Sequence, residues 1–260
     1  MKDNKYGRYI TAAIVLGGMA GTYFFSRPGR NKLKTKLDYK QQKRVDRNIL
    51  TPANATFGIV WSTIYAGTIA LAIHQALPSQ LDNPRYRKAQ HWLRLNYLLT
   101  GLFGYFFSKS DKNSRIGAAL TTISMLPAAI GLHRALEIRQ TDVEGAENVI
   151  RKFISLYAGW LTAASAISAT TLAQEAGYIK KTEEATKWAL IALPAMSGLG
   201  KIVSKRLNDP YYLLTLIAAL AGIAIKQQEN HKEVSALAAS LAVALLGETG
   251  NRIRLQYDVA

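Results

Sequence analysis

The chain has 260 residues, of which 49% are hydrophobic, and its 33 Lys and Arg against 17 Asp and Glu give a formal net charge of +16. The absence of Cys excludes disulfides and thiolate metal sites. Nucleic acid is not an expected partner, because the sequence contains no basic helix with interleaved aromatics and no nucleic-acid motif. The apolar residues instead come in blocks with Lys and Arg between them, which favours loops that face anionic lipid headgroups.

The first apolar run covers residues 9–25 and follows three basic residues. A signal peptide would begin in this way, but no convincing A-x-A cleavage site follows, so a retained N-terminal anchor helix in residues 1–25 is favoured. Gly17 and Gly21 form a GxxxG motif, which allows the close approach of another helix. A homodimer is therefore one expected assembly.

Residues 26–50 form a predicted basic linker, in which nine Lys or Arg stand against two Asp. By the positive-inside rule such a segment stays on the cytoplasmic side, which places the N-terminus outside. The linker is also a candidate for contact with anionic lipid, and a plain solvated tether is the alternative.

The next run, residues 51–74, carries no Asp, Glu, Lys or Arg. At ~1.5 Å per residue it is long enough to span a bilayer core of ~30 Å. Phe57, Trp61 and Tyr65 recur at helical spacing and therefore share one face of the helix. Such a stripe usually packs against a neighbouring helix, and a ligand-facing role is the alternative.

Six further apolar runs follow, at residues 95–107, 116–133, 153–173, 188–203, 211–225 and 234–246. Pro127 and Pro194 predict a kink or a break within two of them, and the last two runs are close to or below the lower limit of ~17 residues for a span. No stretch alternates like a strand. The sequence therefore predicts an all-α, multi-pass transmembrane helix bundle of about eight spans, with a range of six to eight.

The polar stretches 78–94 and 134–151 are predicted loops, and the acidic cluster of Asp142, Glu144 and Glu147 is expected to be solvated. The apolar runs up to residue 173 contain no Asp, Glu, Lys or Arg in their interior. This argues against a proton-coupled carrier with a buried carboxylate, a charge-lined channel, and acid–base or metal catalysis in the bilayer core. The four His lie at span ends or in loops, where an interfacial position is more common than ligation of a tetrapyrrole iron. No catalytic motif is present, and an enzyme is not expected.

The segment from Thr51-Pro52 through Phe57, Trp61 and Tyr65 resembles the second-helix signature T-P-P-x-x-x-F-x-x-V-W-T-x-L-Y of the tryptophan-rich sensory protein, or translocator protein (TspO/MBR), family. The third and fifth spans are similar to the family's patterns at Leu95-Asn96-Tyr97 and at Tyr157-x-x-Trp160. The sequence departs from those patterns where the family has Trp, Asn and Trp, at Leu99, Ser168 and Leu172.

The resemblance covers about residues 9–174 and implies a five-helix fold with a translocator-like core at 51–174. A C-terminal helical extension at 175–260 would lie outside the basic family. The family binds porphyrins and other hydrophobic ligands, such as sterols, in a pocket among its helices. The resemblance therefore implies an integral membrane protein that binds a tetrapyrrole (porphyrin or haem) or a lipid-like molecule as a sensor, carrier or chaperone. The ligand-binding residues that it implies are Phe57, Trp61, Tyr65, Asn96, Tyr157 and Trp160.

Other functions fit the same sequence. A membrane transporter or permease for a small solute would use helices broken at Pro127 and Pro194. A membrane-protein assembly or structural factor would use the aromatic and glycine faces to bind other membrane proteins. A membrane enzyme that degrades porphyrin and a soluble helical bundle are the remaining alternatives.

Overall fold

The computed structural model describes residues 5–26, 43 and 45–257, and these residues form helices and no strands. The long helices are α1 (Lys5–Ser26), α2 (Asn54–His74), α3 (Pro84–Phe107), α4 (Lys112–Ala135), α5 (Gly145–Glu175), α6 (Thr182–Arg206), α7 (Tyr212–Gln227) and α8 (Lys232–Tyr257), with a 3₁₀ turn at Pro78–Gln80. The prediction of an all-α bundle of about eight helices is confirmed.

Four of the described helices are long and apolar enough to cross a membrane. They are α2, α4, α5 and residues 232–255 of α8. Helix α7 is apolar but has only 16 residues, as the length of its apolar run predicts. Neither Pro127 nor Pro194 breaks its helix, since α4 and α6 each run continuously through the proline.

Helix α3 begins at Pro84, within residues 78–94, so the prediction of a loop there is wrong. The Asn83 side chain caps this helix by accepting hydrogen bonds from two backbone amides of its first turn. The first turns bury Tyr86, Ala89 and Leu93 against the bundle. The basic residues among them hide this apolar face from a reading based on average hydropathy.

Helix α5 begins at Gly145, so the predicted loop at 134–151 is helical in its second half. Asp142 and Glu144 are exposed as expected, but Glu147 is only 6% exposed, and the prediction that it is solvated is wrong. Its carboxylate lies 2.7 Å from the Arg85 Nε. This ion pair joins the starts of α3 and α5, and pairing is what allows a carboxylate to be buried there.

The basic linker predicted at 26–50 falls largely outside the described residues, as does the orientation inferred from it. Helix α5 lies at the centre of the described bundle and packs against α2, α4, α6 and α7. One apolar core extends from Ile49 to Leu245 and includes residues on both sides of position 174. The division into a 51–174 core and a 175–260 extension stays a prediction.

Helices α1 and α3 approach closely at glycines. A Cβ added to Gly18 would lie 2.3 Å from the Tyr97 carbonyl oxygen, and one added to Gly104 would lie 2.7 Å from the Thr22 Cα. Gly17, from the predicted GxxxG motif, instead has no neighbouring atom within 4 Å of the position that a Cβ would take. The close approach within the chain therefore uses Gly18 rather than Gly17.

The C-terminal helices are tied to the core by a buried histidine–aspartate hydrogen bond. His133 Nε2 at the end of α4 lies 2.7 Å from the Asp209 Oδ2, in the connection between α6 and α7, and both side chains are fully buried. Burial opposes ionisation of the Asp209 carboxyl, but the interaction with His133 and the hydrogen bond from the Tyr211 amide are among several effects that together outweigh burial and lower its pKa.

We expect Gly18→Ala to destabilise the protein by about 1–3 kcal/mol, because the new methyl group would overlap the α3 backbone. Thermal unfolding in mild detergent measures the effect. Gly17→Ala, one residue away on the same helix, is the matched control and should leave the midpoint unchanged. Equal midpoints for the two variants would contradict this packing.

We expect Asp209→Ala to lower the free energy of unfolding by about 3–5 kcal/mol, because it leaves the buried His133 without its partner. Chemical denaturation in detergent measures the loss. Asp82→Ala removes an exposed carboxylate and is the control. A loss of similar size in both variants would contradict a stabilising role of the buried His133–Asp209 pair.

Candidate functional site

A cavity of about 980 Å³ lies between α2, α3, α4 and α5, beneath the segment that precedes α2. Its inner part is apolar and includes Met125, Ala118 and Leu161. Its charged residues collect where α4 begins and α5 ends, at one end of the bundle. The cavity is therefore an apolar chamber with a polar mouth.

Four of the six predicted ligand-binding residues line this cavity: Phe57, Trp61, Tyr65 and Trp160. The ring centroids of Phe57 and Trp160 are 5.3 Å apart, and those of Trp61 and Trp160 are 6.2 Å apart, both in edge-to-face geometry. Trp61 and Tyr65 follow at 5.1 Å along α2. The stripe predicted on α2 thus meets α5 and forms one aromatic wall.

The other two predicted residues, Asn96 and Tyr157, are buried and do not line the cavity. The Tyr157 hydroxyl donates to the Asn96 Oδ1 at 3.4 Å and lies 3.6 Å from the Met125 Sδ. The Asn96 Nδ2 donates to the Trp92 carbonyl. These two side chains therefore support the cavity wall through Met125 rather than face the chamber.

The mouth of the cavity is charged, which the sequence analysis missed. Arg115 at the start of α4 forms a two-pronged ion pair with Glu175 at the end of α5, with both N–O distances 2.6 Å. Lys43 and Arg47 also line the mouth. The mouth therefore has three cations and one carboxylate, which is an excess of two positive charges. No pattern in the sequence indicates that Arg115 and Glu175, which are 60 residues apart, form a pair.

The segment before α2 is fastened over the mouth by side-chain hydrogen bonds. The Asn48 Nδ2 donates to the Ile167 carbonyl at 2.8 Å, and the Gln174 Nε2 donates to the Arg47 carbonyl at 3.3 Å. From the other side, the Gln227 Nε2 donates to the Ile49 carbonyl at 2.9 Å. This segment joins α5 and α7 across the open end of the chamber.

None of the four His residues lines the cavity. His74 Nδ1 pairs with the Tyr86 hydroxyl at 2.7 Å, and His133 pairs with Asp209. Within the described residues, no group of three or more His, Asp or Glu is placed to hold a metal ion. The chamber can hold a flat apolar ring by stacking, but it offers no imidazole for an iron atom.

Two of the three departures from the expected pattern, Leu99 and Leu172, do not line the cavity, whereas Ser168 does. Ser168 is small, and the absence of a larger side chain there leaves room in the chamber.

The family model of the TSPO-like protein matches residues 10–249. No curated protein and no solved structure matches the chain. The matched range continues past residue 174 through α6, α7 and most of α8. With four helices able to cross a membrane, the chain is an integral, multi-pass membrane protein. It belongs to the TSPO-like protein family.

Proposed function

We propose that the protein binds a flat hydrophobic ligand that carries carboxylates, a tetrapyrrole such as a porphyrin or haem, in the chamber between α2 and α5. The observation that carries the proposal is the combination of an aromatic wall with an excess of positive charge at the mouth. Ligand pockets usually have volumes of ~300–1,000 Å³. A chamber of about 980 Å³ is at the upper end of that range, which suits a macrocycle.

The aromatic wall supports the proposal that the ligand has a planar ring system. Trp61 is half-buried and lines the chamber, with Trp160 behind it in edge-to-face contact. Aromatic faces and edges favour a second π system placed against them over an aliphatic chain of equal area. Since none of the His residues lines the chamber, haem would be held by its ring and carboxylates, in the same way as a metal-free porphyrin.

The charge of the mouth supports the proposal that the ligand carries carboxylates. Glu175 already pairs with Arg115, which leaves Lys43 and Arg47 as the cations of the mouth for an anionic group. A carboxylate at an interface is best placed where charge-assisted hydrogen bonds replace part of its hydration. A porphyrin whose ring enters the chamber has its carboxylates at one edge, so ring and carboxylates would meet suitable partners together.

The chamber supports binding more than chemical turnover. Its lining holds one carboxylate, which is paired, and no His, so it offers neither a free carboxylate nor an imidazole for acid–base catalysis. The transporter alternative required helices broken at Pro127 and Pro194, but both helices are continuous.

We expect Trp61→Leu and Trp160→Leu to weaken binding of protoporphyrin IX about tenfold, because each removes an aromatic surface of the chamber. Titration in mild detergent, followed by the absorbance of the porphyrin, measures the affinity without relying on protein fluorescence. Trp188→Leu, outside the chamber, is the matched control. Wild-type affinity in both chamber variants, with folding confirmed by thermal unfolding, would overturn the proposed site.

We expect the double variant Lys43→Gln, Arg47→Gln to weaken binding of protoporphyrin IX about tenfold, since two charge-assisted contacts are lost. Binding of its dimethyl ester, which has no free carboxylate, should not change. The double variant Lys187→Gln, Arg206→Gln removes two exposed charges elsewhere and serves as the control. An equal loss for the acid and the ester would contradict a role of the mouth in recognising carboxylates.

A further inference from the structure

A second cavity of about 570 Å³ lies between α3 and α4. It is formed where α3 begins and α4 ends, whereas the mouth of the chamber lies where α4 begins and α5 ends. The two sites are therefore at opposite ends of the bundle. The side chains that form this interhelical groove are Lys88, His91, Trp92, Pro127, Ile130, Gly131, Arg134 and Ala135.

The groove has a built aromatic floor. The indole ring of Trp92 lies over Gly131 so closely that a Cβ there would be 2.7 Å from its ring atoms. The ring of His91 packs beside it, with centroids 4.8 Å apart. Only a glycine permits this contact, and the contact fixes the ring at the boundary between α3 and α4. A Trp at a helix end is typical of the interface between lipid tails and headgroups.

The edge of the groove that Lys88 and Arg134 form is positively charged. Arg134 is exposed, and its guanidinium has no partner among the described residues. The Lys88 Nζ lies 2.7 Å from the Glu137 Oε1, which occupies one of its three N–H donors and leaves the other two. No carboxylate lines the groove. An anion placed between Arg134 and Lys88 would meet unused donors from both helices.

Below this edge the surface is apolar and points outwards. Pro127 and Ile130 line the groove on the α4 side. On α3 the residues that follow Trp92 expose Leu95, Leu98 and Leu102, of which Leu98 is 59% exposed. In a membrane protein, exposed leucines of this kind can face lipid tails. The groove thus continues from a cationic edge, past an aromatic ring, to a lipid-facing surface.

We propose that this groove binds an anionic phospholipid, with the phosphate between Arg134 and Lys88 and an acyl chain along the exposed leucines of α3. Basic pockets between transmembrane helices are suited to anionic headgroups, and guanidinium groups bind phosphate through paired hydrogen bonds. A free phosphate would use the same two cations, but the apolar continuation of the groove favours the lipid. The site is separate from the chamber and does not depend on what the chamber binds.

The test compares lipids retained by the full chain. Wild type and the double variant Lys88→Gln, Arg134→Gln are purified in mild detergent and titrated with phosphatidylglycerol or phosphatidylcholine, and bound lipid is counted by native mass spectrometry. We expect the variant to bind phosphatidylglycerol about tenfold more weakly, because two charges near a headgroup are lost, with no change for phosphatidylcholine. Lys187→Gln, Arg206→Gln loses the same charge at other exposed positions and should retain wild-type binding.

A second measurement locates the lipid. Phosphatidylglycerol brominated on its acyl chains quenches nearby Trp, and the quenched fraction of the fluorescence should fall in Trp92→Phe but not in Trp188→Phe, where one unquenched emitter is removed. Inorganic phosphate added in excess should not displace the lipid.

Three results would overturn the proposal. Equal losses in the two double variants would show a general charge effect. Displacement by inorganic phosphate would identify a free-oxyanion site. Quenching that does not depend on Trp92 would place the lipid elsewhere. A failure of porphyrin binding in the chamber would leave all of these readouts unchanged.

Discussion

The fold depends on the close contact between α5 and α7 at Gly159. A Cβ at this position would lie 1.8 Å from the Tyr212 carbonyl oxygen, so the two helices can meet only because the side chain is absent. Around this point the Thr215 hydroxyl donates to the Leu156 carbonyl at 2.7 Å, and the Thr162 and Tyr212 hydroxyls pair at 2.5 Å. In a membrane such packing and hydrogen bonding replace the hydrophobic effect, which gives little drive for one apolar helix to leave lipid for another. The residue next to Gly159 is Trp160, which forms part of the chamber wall. Helix α7 therefore positions α5, the helix that carries Trp160. The chamber is thus supported by a helix outside residues 9–174, the range over which the sequence resembles the family pattern.

A second close approach sets the other side of the chamber. A Cβ at Gly67 on α2 would lie 2.0 Å from the Phe153 ring, so the Phe153 side chain packs directly on the α2 backbone. Between this contact and the mouth, Phe57 and Trp61 of α2 meet Trp160 of α5. On one side of Gly67 the two helices thus pack through a glycine, and on the other side they pack through large aromatic rings that line the chamber.

The sequence predicted most of the helices and the aromatic stripe of α2 because both are local patterns. Residues 51–74 show their length and their stripe without any knowledge of the neighbours, and the fixed spacing of Phe57, Trp61 and Tyr65 carried the family resemblance. The errors came where a helix mixes charge with a buried face. Glu147 belongs to an acidic run that looks solvated, and only the three-dimensional approach of Arg85 shows why it is buried. In the same way, Arg115 and Glu175 meet at the mouth of the chamber only because α4 and α5 pack side by side. Asn96 and Tyr157 fit the family pattern, but their spacing alone could not show that they support the wall from behind.

The distribution of charge explains how one bundle can offer two unlike sites. Most charged side chains lie near the ends of the described helices, with Arg94 near the middle of α3 as an exception, since a charge at the bilayer centre is costly. At one end the cations border the mouth of the chamber, next to the segment before α2, which is held by hydrogen bonds of Asn48 and Gln227. At the other end Arg134 and Lys88 lie at the outer edge of the groove between α3 and α4. The side chains of Asn48 and Gln227 are buried, so their hydrogen bonds hold this segment as a fixed part of the chamber. A porphyrin bound as proposed would have its ring inside the chamber and its carboxylates beside Lys43 and Arg47, which are exposed. A lipid bound as proposed would reach the groove from the membrane, so the two ligands would occupy opposite ends of one bundle.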